Sequence, residues 1–410
     1  MRIWQCLLVG STLVAGPLSC ADGAGDDVGR GGQGASAGAS AGSTMAAGEG
    51  GSTGDNGGGG GTAAVGAGGA PTSACVVAKN DAEVPMLLSE TGCVDMDDPS
   101  QPAPGLVPYS VLSPLWSDGA DKERFLRIPD GQKIRVLDCV TEPDDCKPPG
   151  EGGIGAQEGH FILPIGTVLV KSFALDGKRI ETRLLMRRSK LVWKGFSYEW
   201  NDAGTEATLL PDNLEGKQKP VGPDAQVWHY PSRTQCLECH TRYAGSSLGP
   251  STQQLSSDFA YAEGSMNQLE KLDALGLFES RPKALPGYPD PADEGLPVDA
   301  RARSYLQTNC AICHRPGGDA GVGNLDLRFA TAFAETSLCD EVERDAGDVP
   351  PFRLVPGRPE QSTLSFRMHA VDDLRMPELG SNVVDEEGSA LIDAWITAMP
   401  ASACPDQPMP

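Results

Sequence analysis

Two five-residue segments carry most of the chemistry this chain can offer. Cys236-Leu237-Glu238-Cys239-His240 and Cys310-Ala311-Ile312-Cys313-His314 both read Cys-x-x-Cys-His. Thiols three positions apart on a helical turn project to one side, where both can reach a single partner. The adjacent imidazole adds a good transition-metal ligand. Four chemistries use such a set. In a haem c site, both thiols form thioethers to two vinyl groups on one edge of the macrocycle, and the histidine ligates the iron. A thioredoxin-like redox pair uses the thiols alone and wants a βαβ setting, which neither segment has. Zinc could draw ligands from both segments. A pair of disulfides would leave both histidines without a role. Repetition of the whole pattern, histidine included, favours two covalently bound haem groups. Cys236, Cys239, Cys310 and Cys313 are then the anchors, and His240 and His314 the proximal iron ligands.

The sixth position of each iron separates electron transfer from catalysis. For the second haem the leading candidate is Met376, in Arg375-Met376-Pro377-Glu378-Leu379-Gly380, just ahead of the last helical pattern. A thioether there raises the potential and closes the iron to small molecules. Met368 competes, and core packing would account for either methionine. For the first haem His160, His229 and Met266 are available, and none stands out. An open position there would admit peroxide or another small ligand. Arg358, in Pro356-Gly357-Arg358-Pro359, suits a haem propionate or a surface loop equally.

The chain has 410 residues, enough for two or three domains, and carries 33 basic against 56 acidic residues for a net charge of −23. That balance argues against nucleic-acid binding and against adhesion to anionic lipid. Met1-Arg2 followed by the apolar run to Gly16 has the form of a signal peptide. Pro17-Leu18-Ser19-Cys20 resembles a bacterial lipoprotein box, although its leucine lies two residues before the cysteine rather than three. Ordinary cleavage after Ala21 is the competing reading, and a buried N-terminal helix a third. No later segment approaches the roughly 18 apolar residues of a membrane span. Residues 31–70 hold 17 of the 51 glycines, so 21–73 reads as a flexible tether with a span of about 40 Å, or as a tolerated low-complexity insertion. Of the 12 cysteines, Cys6 belongs to the leader, Cys20 to the lipid site and four to the repeated segments. The remaining six suit disulfides in an exported protein, with Cys75–Cys93, Cys139–Cys146 and Cys339–Cys404 the pairing adopted here.

The elements that must position these groups fall into two kinds. Residues 74–230 read as a β-rich domain of sandwich or barrel-like form. Thr167 to Phe173 is β-branched and apolar, Asp176-Gly177 signals a hairpin, and Arg179 to Arg187 returns. Phe196, Tyr198 and Trp200 alternate as in a half-buried strand. Residues 231–297 hold the first Cys-x-x-Cys-His, a short helical pattern over 266–275 and a Pro-rich connector. Residues 298–404 read as a mainly helical domain. Asp299 to Thr308 forms one helix, with Ala302, Tyr305 and Leu306 on one side. A last helix is capped by Asp385, opens with Glu386 and Glu387, and carries Leu391, Ile392, Trp395, Ile396 and Met399 as its apolar stripe.

On these residues the chain resembles a family of exported bacterial dihaem c-type cytochrome proteins, mostly conserved hypothetical proteins, over about Gly105 to Met399. The segments that carry the resemblance include Pro108 to Asp118, Pro164 to Lys171, Ile180 to Leu185, Gln235 to His240, Asn267-Gln268-Leu269, Arg301 to Leu306 and Met376 to Gly380. The last unit is similar to a class I cytochrome c domain, with methionine delivered by the loop before the final helix. The resemblance implies haem binding and electron transfer and supplies no substrate. One-electron exchange between extracytoplasmic redox partners is expected, with a basic protein suited to the net charge, and a β domain that docks a dehydrogenase is a further reading. A haem enzyme using an open first haem or a site in the β domain is the alternative. Membrane association is expected only through a lipid at Cys20.

Overall fold

The run from Thr167 to Arg187 folds back on itself at Asp176-Gly177, where both residues take left-handed backbone angles (φ +50° and +73°). Two-residue hairpin turns require this geometry, because its twist matches that of the flanking strands. The structure, a computed structural model, describes residues 74–407 apart from 149–150, 152, 154–156, 223–224, 319, 321–323 and 343–348. The leader, Cys20 and the Gly-rich tether lie outside the described residues. All described residues belong to one unit.

In chain order the strands are β1 (Val107–Pro108), β2 (Asp121–Arg127), β3 (Arg135–Val136), β4 (Phe161–Ile162), β5 (Val168–Leu175), β6 (Lys178–Arg187), β7 (Trp193–Trp200), β8 (Ala207–Leu209), β9 (Lys217–Val221), β10 (Gln226–Tyr230), β11 (Asp258–Tyr261) and β12 (Gly264–Asn267). The α-helices are α1 (Arg233–Cys239), α2 (Gln268–Ala274), α3 (Val298–Asn309), α4 (Thr363–His369) and α5 (Glu386–Ala398). One antiparallel sheet runs β1-β2-β5-β6-β7-β8, and β3–β4, β9–β10 and β11–β12 form two-stranded ribbons.

This is a mixed fold, strand-rich first and helical last, but the sheet is neither sandwich nor barrel. One face, with Val168, Val170, Leu184 and Phe196, is buried under the irregular segment that holds Cys75, Leu88 and Cys93. With that face already covered by chain cross-linked through Cys75–Cys93, no second sheet is needed to exclude water. The other face packs Leu126, Leu169 and Leu185 against Phe161 and Phe278. Strand β7 is therefore buried on both faces from Gly195 to Tyr198, where alternation alone implied one exposed side.

The helical part follows its pattern. Ala302, Tyr305 and Leu306 of α3 meet Leu391, Ile392, Trp395 and Ile396 of α5 in one core. Asp385 caps α5 by accepting from the Gly388 amide at 2.9 Å, and Tyr305 Oη donates to the other Asp385 oxygen at 2.8 Å. Helix α2 begins at Gln268 rather than 266, because Met266 and Asn267 pair with Phe259 and Asp258 in the β11–β12 ribbon. The Asn267 side chain then caps the helix by accepting from the Leu269 amide. All three disulfides form with the pairing read from the sequence. Among the described residues no helix is long and apolar enough to cross a membrane.

Candidate functional site

The first Cys-x-x-Cys is placed by a helix of only seven residues, which needs strong local support to form. Ser232 and Gln235 supply it as a capping box: Ser232 Oγ accepts from the Gln235 amide at 3.0 Å, and Gln235 Oε1 accepts from the Ser232 amide at 2.9 Å. His229 Nε2 donates to the same Gln235 oxygen at 2.9 Å. Helix α1 then rests on β7 at Gly195. A Cβ there would stand 2.7 Å from Cys236 Sγ, so only glycine lets the helix approach this closely.

Cys236, Cys239 and His240 all face one cavity that opens to solvent. Its floor is the sheet, through Arg124, Lys171 and Arg183, and Trp116, Trp228 and Tyr288 stand in its walls. His240 Nδ1 lies 2.6 Å from the Ser246 carbonyl. A carbonyl can only accept, so Nδ1 carries the proton and Nε2 keeps its lone pair for a ligand. Burial pushes the His240 imidazole down to about 4, which keeps it in the neutral, ligating form. The loop that supplies Ser246 is held by His160, whose Nε2 donates to the Gly245 carbonyl at 3.0 Å. Gly245 has φ +78°, and a Cβ on it would meet the His160 ring at 2.6 Å.

Burial pushes the thiols up, Cys236 to about 11 and Cys239 and Cys310 to about 12. A thioredoxin-like pair needs the opposite shift, toward thiolate. Nor do any three His, Cys, Asp or Glu side chains converge as a metal-holding group among the described residues.

The second segment leaves α3 at Cys310, whose side chain packs against the C-terminal core. The chain at Ser113 to Asp118 is stitched to α3: Ser113 Oγ donates to the Ser304 carbonyl at 2.9 Å, and the Trp116 amide to Asn309 Oδ1 at 2.7 Å. Arg315 links the two segments directly, with Nη1 donating to the Tyr243 carbonyl at 2.9 Å. Cys239 and Cys313 are near enough for the second thiol to raise the pKa of the first. The two imidazoles nevertheless sit in different surroundings. His240 feels Lys171 and Arg183, whereas His314 feels Arg353 and Arg367. His314 Nδ1 is buried with no hydrogen-bond partner among the described residues. From this segment Ile312 reaches the first cavity, as does Arg315 just after it.

Met376 is half-buried, and its amide donates to the Arg367 carbonyl at 3.0 Å. The loop that follows it docks on the strand-rich region. The Asp118 amide donates to the Gly380 carbonyl at 3.1 Å, the Val383 amide to Asp118 Oδ1 at 2.9 Å, and Trp116 Nε1 to the Val383 carbonyl at 3.1 Å. Met368 is buried in the C-terminal core. Of the three side chains considered for the first haem, His160 and His229 line the cavity, whereas Met266 lies exposed on the β11–β12 ribbon. Arg358 forms an exposed ion pair with Glu360 at 3.8 Å, as a surface loop residue would. Sequence reasoning passed over Gly195, Ser246 and the basic floor. A glycine inside a strand pattern was the one available signal, since it marks close backbone approach. No family model, curated protein or solved structure matches this chain.

Proposed function

We propose that this chain is an exported c-type cytochrome that holds two haems covalently and passes single electrons between redox partners outside the cytoplasm. The observation that carries this reading is the first segment: two protonated thiols and one imidazole, its Nδ1 tied to Ser246, face a single cavity with aromatic walls. Haem supplies a one-electron iron couple when bound. Cys236 and Cys239 would hold the first group by adding S–H across its vinyl bonds, a reaction that consumes no oxidant, and His240 Nε2 would take the iron. Cys310, Cys313 and His314 would hold the second. Met376 is the proposed sixth ligand there, because its backbone is tied to Arg367, whose charge acts on His314. The bond from Arg315 Nη1 to the Tyr243 carbonyl ties the chain just after one segment to the chain just after the other, which favours exchange of electrons between the two sites. A net charge of −23 suits a basic redox protein or dehydrogenase domain as partner, steered by a field that is screened over about 8 Å at physiological salt.

One observation favours a second reading, a haem enzyme: the cavity beside His240 opens to solvent and carries charged groups on its floor. Cyanide and peroxide separate the two, since a pair of six-coordinate haems ignores both. Counting haems tests the main proposal. The full chain, made in a host that matures c-type cytochromes, should carry two by intact mass. The pairs Cys236→Ala with Cys239→Ala, and Cys310→Ala with Cys313→Ala, should each leave one. A wild-type chain without covalent haem overturns the proposal. Lipidation at Cys20 is tested in parallel, because Cys20→Ala should release the protein from the membrane fraction.

A further inference from the structure

Three basic side chains stand in register across the sheet that floors the cavity. Arg124 on β2 is directly opposite Lys171 on β5, and Lys171 is directly opposite Arg183 on β6. Opposed residues in antiparallel pairs share a face with Cβ atoms about 4.5–5.5 Å apart, and like charges so placed destabilise the sheet. All three line the cavity. Arg183 alone has a carboxylate: the fully buried Glu181 accepts its Nε and Nη2 at 2.8 Å each, and also accepts Trp228 Nε1 at 3.0 Å. Arg124 and Lys171 join no ion pair among the described residues. Arg124 Nη1 reaches only the Lys122 carbonyl, and Lys171 Nζ sits 4.8 Å from the Phe173 ring centroid. The other carboxylates on the cavity wall are engaged elsewhere, Asp118 with the Val383 amide and Glu158 with the Cys139 amide. All three are half-buried, and partly desolvated cations without a counter-charge carry a cost. Burial, with Arg124, Lys122 and Arg183 nearby, pushes the Lys171 ammonium well below its usual value.

We propose that Arg124, Lys171 and Arg183 form a carboxylate-binding site on the cavity floor, beside the first Cys-x-x-Cys-His segment. The Arg124 guanidinium matches a planar carboxylate, and the Lys171 ammonium and Arg183 Nη1, the nitrogen that Glu181 does not take, add further donors. Leu169, Leu185, Trp116 and Trp228 line the rest of the same space, which selects a ligand with an apolar body and a carboxylate edge. Two sources have that chemistry: the propionate edge of a bound haem, and a diffusible organic carboxylate. The first rests on the dihaem reading above; the site itself does not.

The experiment uses the full chain as purified, with Lys171→Met, Lys171→Arg and Arg124→Gln beside it. Intact mass counts the haems, calorimetry titrates benzoate with benzamide as the uncharged control, and redox titration follows the first haem across pH. If the propionates occupy the site, wild type ignores benzoate. Lys171→Met and Arg124→Gln then lower the potential of the first haem and move the pH at which it changes, and Lys171→Arg restores both. If the ligand is diffusible, wild type binds benzoate saturably and not benzamide, each neutral variant binds about tenfold more weakly, and Lys171→Arg recovers. Should Lys171→Met fail to fold, Arg124→Gln decides the same question. The proposal is overturned if wild type shows no saturable binding and the potential and its pH profile are unmoved by the variants, or if benzoate binding survives them unchanged. A chain without covalent haem refutes the dihaem reading alone, and the benzoate titration still decides the site.

Discussion

Replacing Gly195 by alanine probes the contact that seats the first Cys-x-x-Cys-His. The added Cβ falls 2.7 Å from Cys236 Sγ and 2.8 Å from Cys236 Cβ, about 0.7 Å inside the ordinary contact limit. Gly195 is not among the glycines with left-handed backbone, so the effect is steric and carries no dihedral strain. Both obstructing atoms belong to α1, whose N-terminus is held by its capping box. Relief therefore requires the helix to rise from β7. Overpacking of this kind costs about 1–3 kcal/mol, a shift in the unfolding equilibrium of roughly fivefold to more than a hundredfold. The same movement carries His240 away from the Ser246 carbonyl. Urea denaturation should show a lower midpoint with an unchanged slope; on the dihaem proposal, intact mass should show one haem fewer and peptide mapping should trace the loss to Cys236 and Cys239. A Gly195→Ala protein with the wild-type midpoint and full haem loading would refute the close seating of α1 on β7.

Three further outcomes are expected. Removing the Cys339–Cys404 bridge with Cys339→Ser and Cys404→Ser releases residues separated by 65 positions and should cost about 4 kcal/mol by loop entropy; a loss near zero in guanidinium unfolding contradicts this. At Asp326, burial raises the carboxyl, but the Arg328 side chain and amide and the Thr331 hydroxyl outweigh it and hold the group below its usual value. A folded pKa below the unfolded one stabilises the protein above the ordinary carboxylate range, and that contribution disappears as pH falls through the folded pKa. The stability gap between wild type and Asp326→Asn should therefore be largest near about pH 7 and shrink as the pH falls below the ordinary carboxylate range; a gap that persists in acid refutes the assignment. On the dihaem proposal, Met376→Ala should lower the potential of the second haem and abolish its sulfur-to-iron charge-transfer band, and an unchanged spectrum assigns the ligand elsewhere.

How much of this was legible in the chain follows the range of the forces involved. The Asp176-Gly177 turn, the Asp385 cap, the apolar stripes of α3 and α5 and the spacing within each Cys-x-x-Cys-His are set by neighbours within four residues. Their physics is therefore written in consecutive letters. The even set of six cysteines left after the leader, Cys20 and the repeated segments also pointed to the observed bridges, because two of them close short loops. Tertiary structure alone decided the rest. Strand alternation could not show that β7 is covered on its second face, because the cover is α1, anchored by a glycine 41 positions before Cys236. Nor could it align Arg124, Lys171 and Arg183, since register between strands depends on which side chains the whole sheet buries. The sequence by itself determined which groups are available for chemistry; packing between distant segments determined that three basic side chains and the first thiol pair share one cavity.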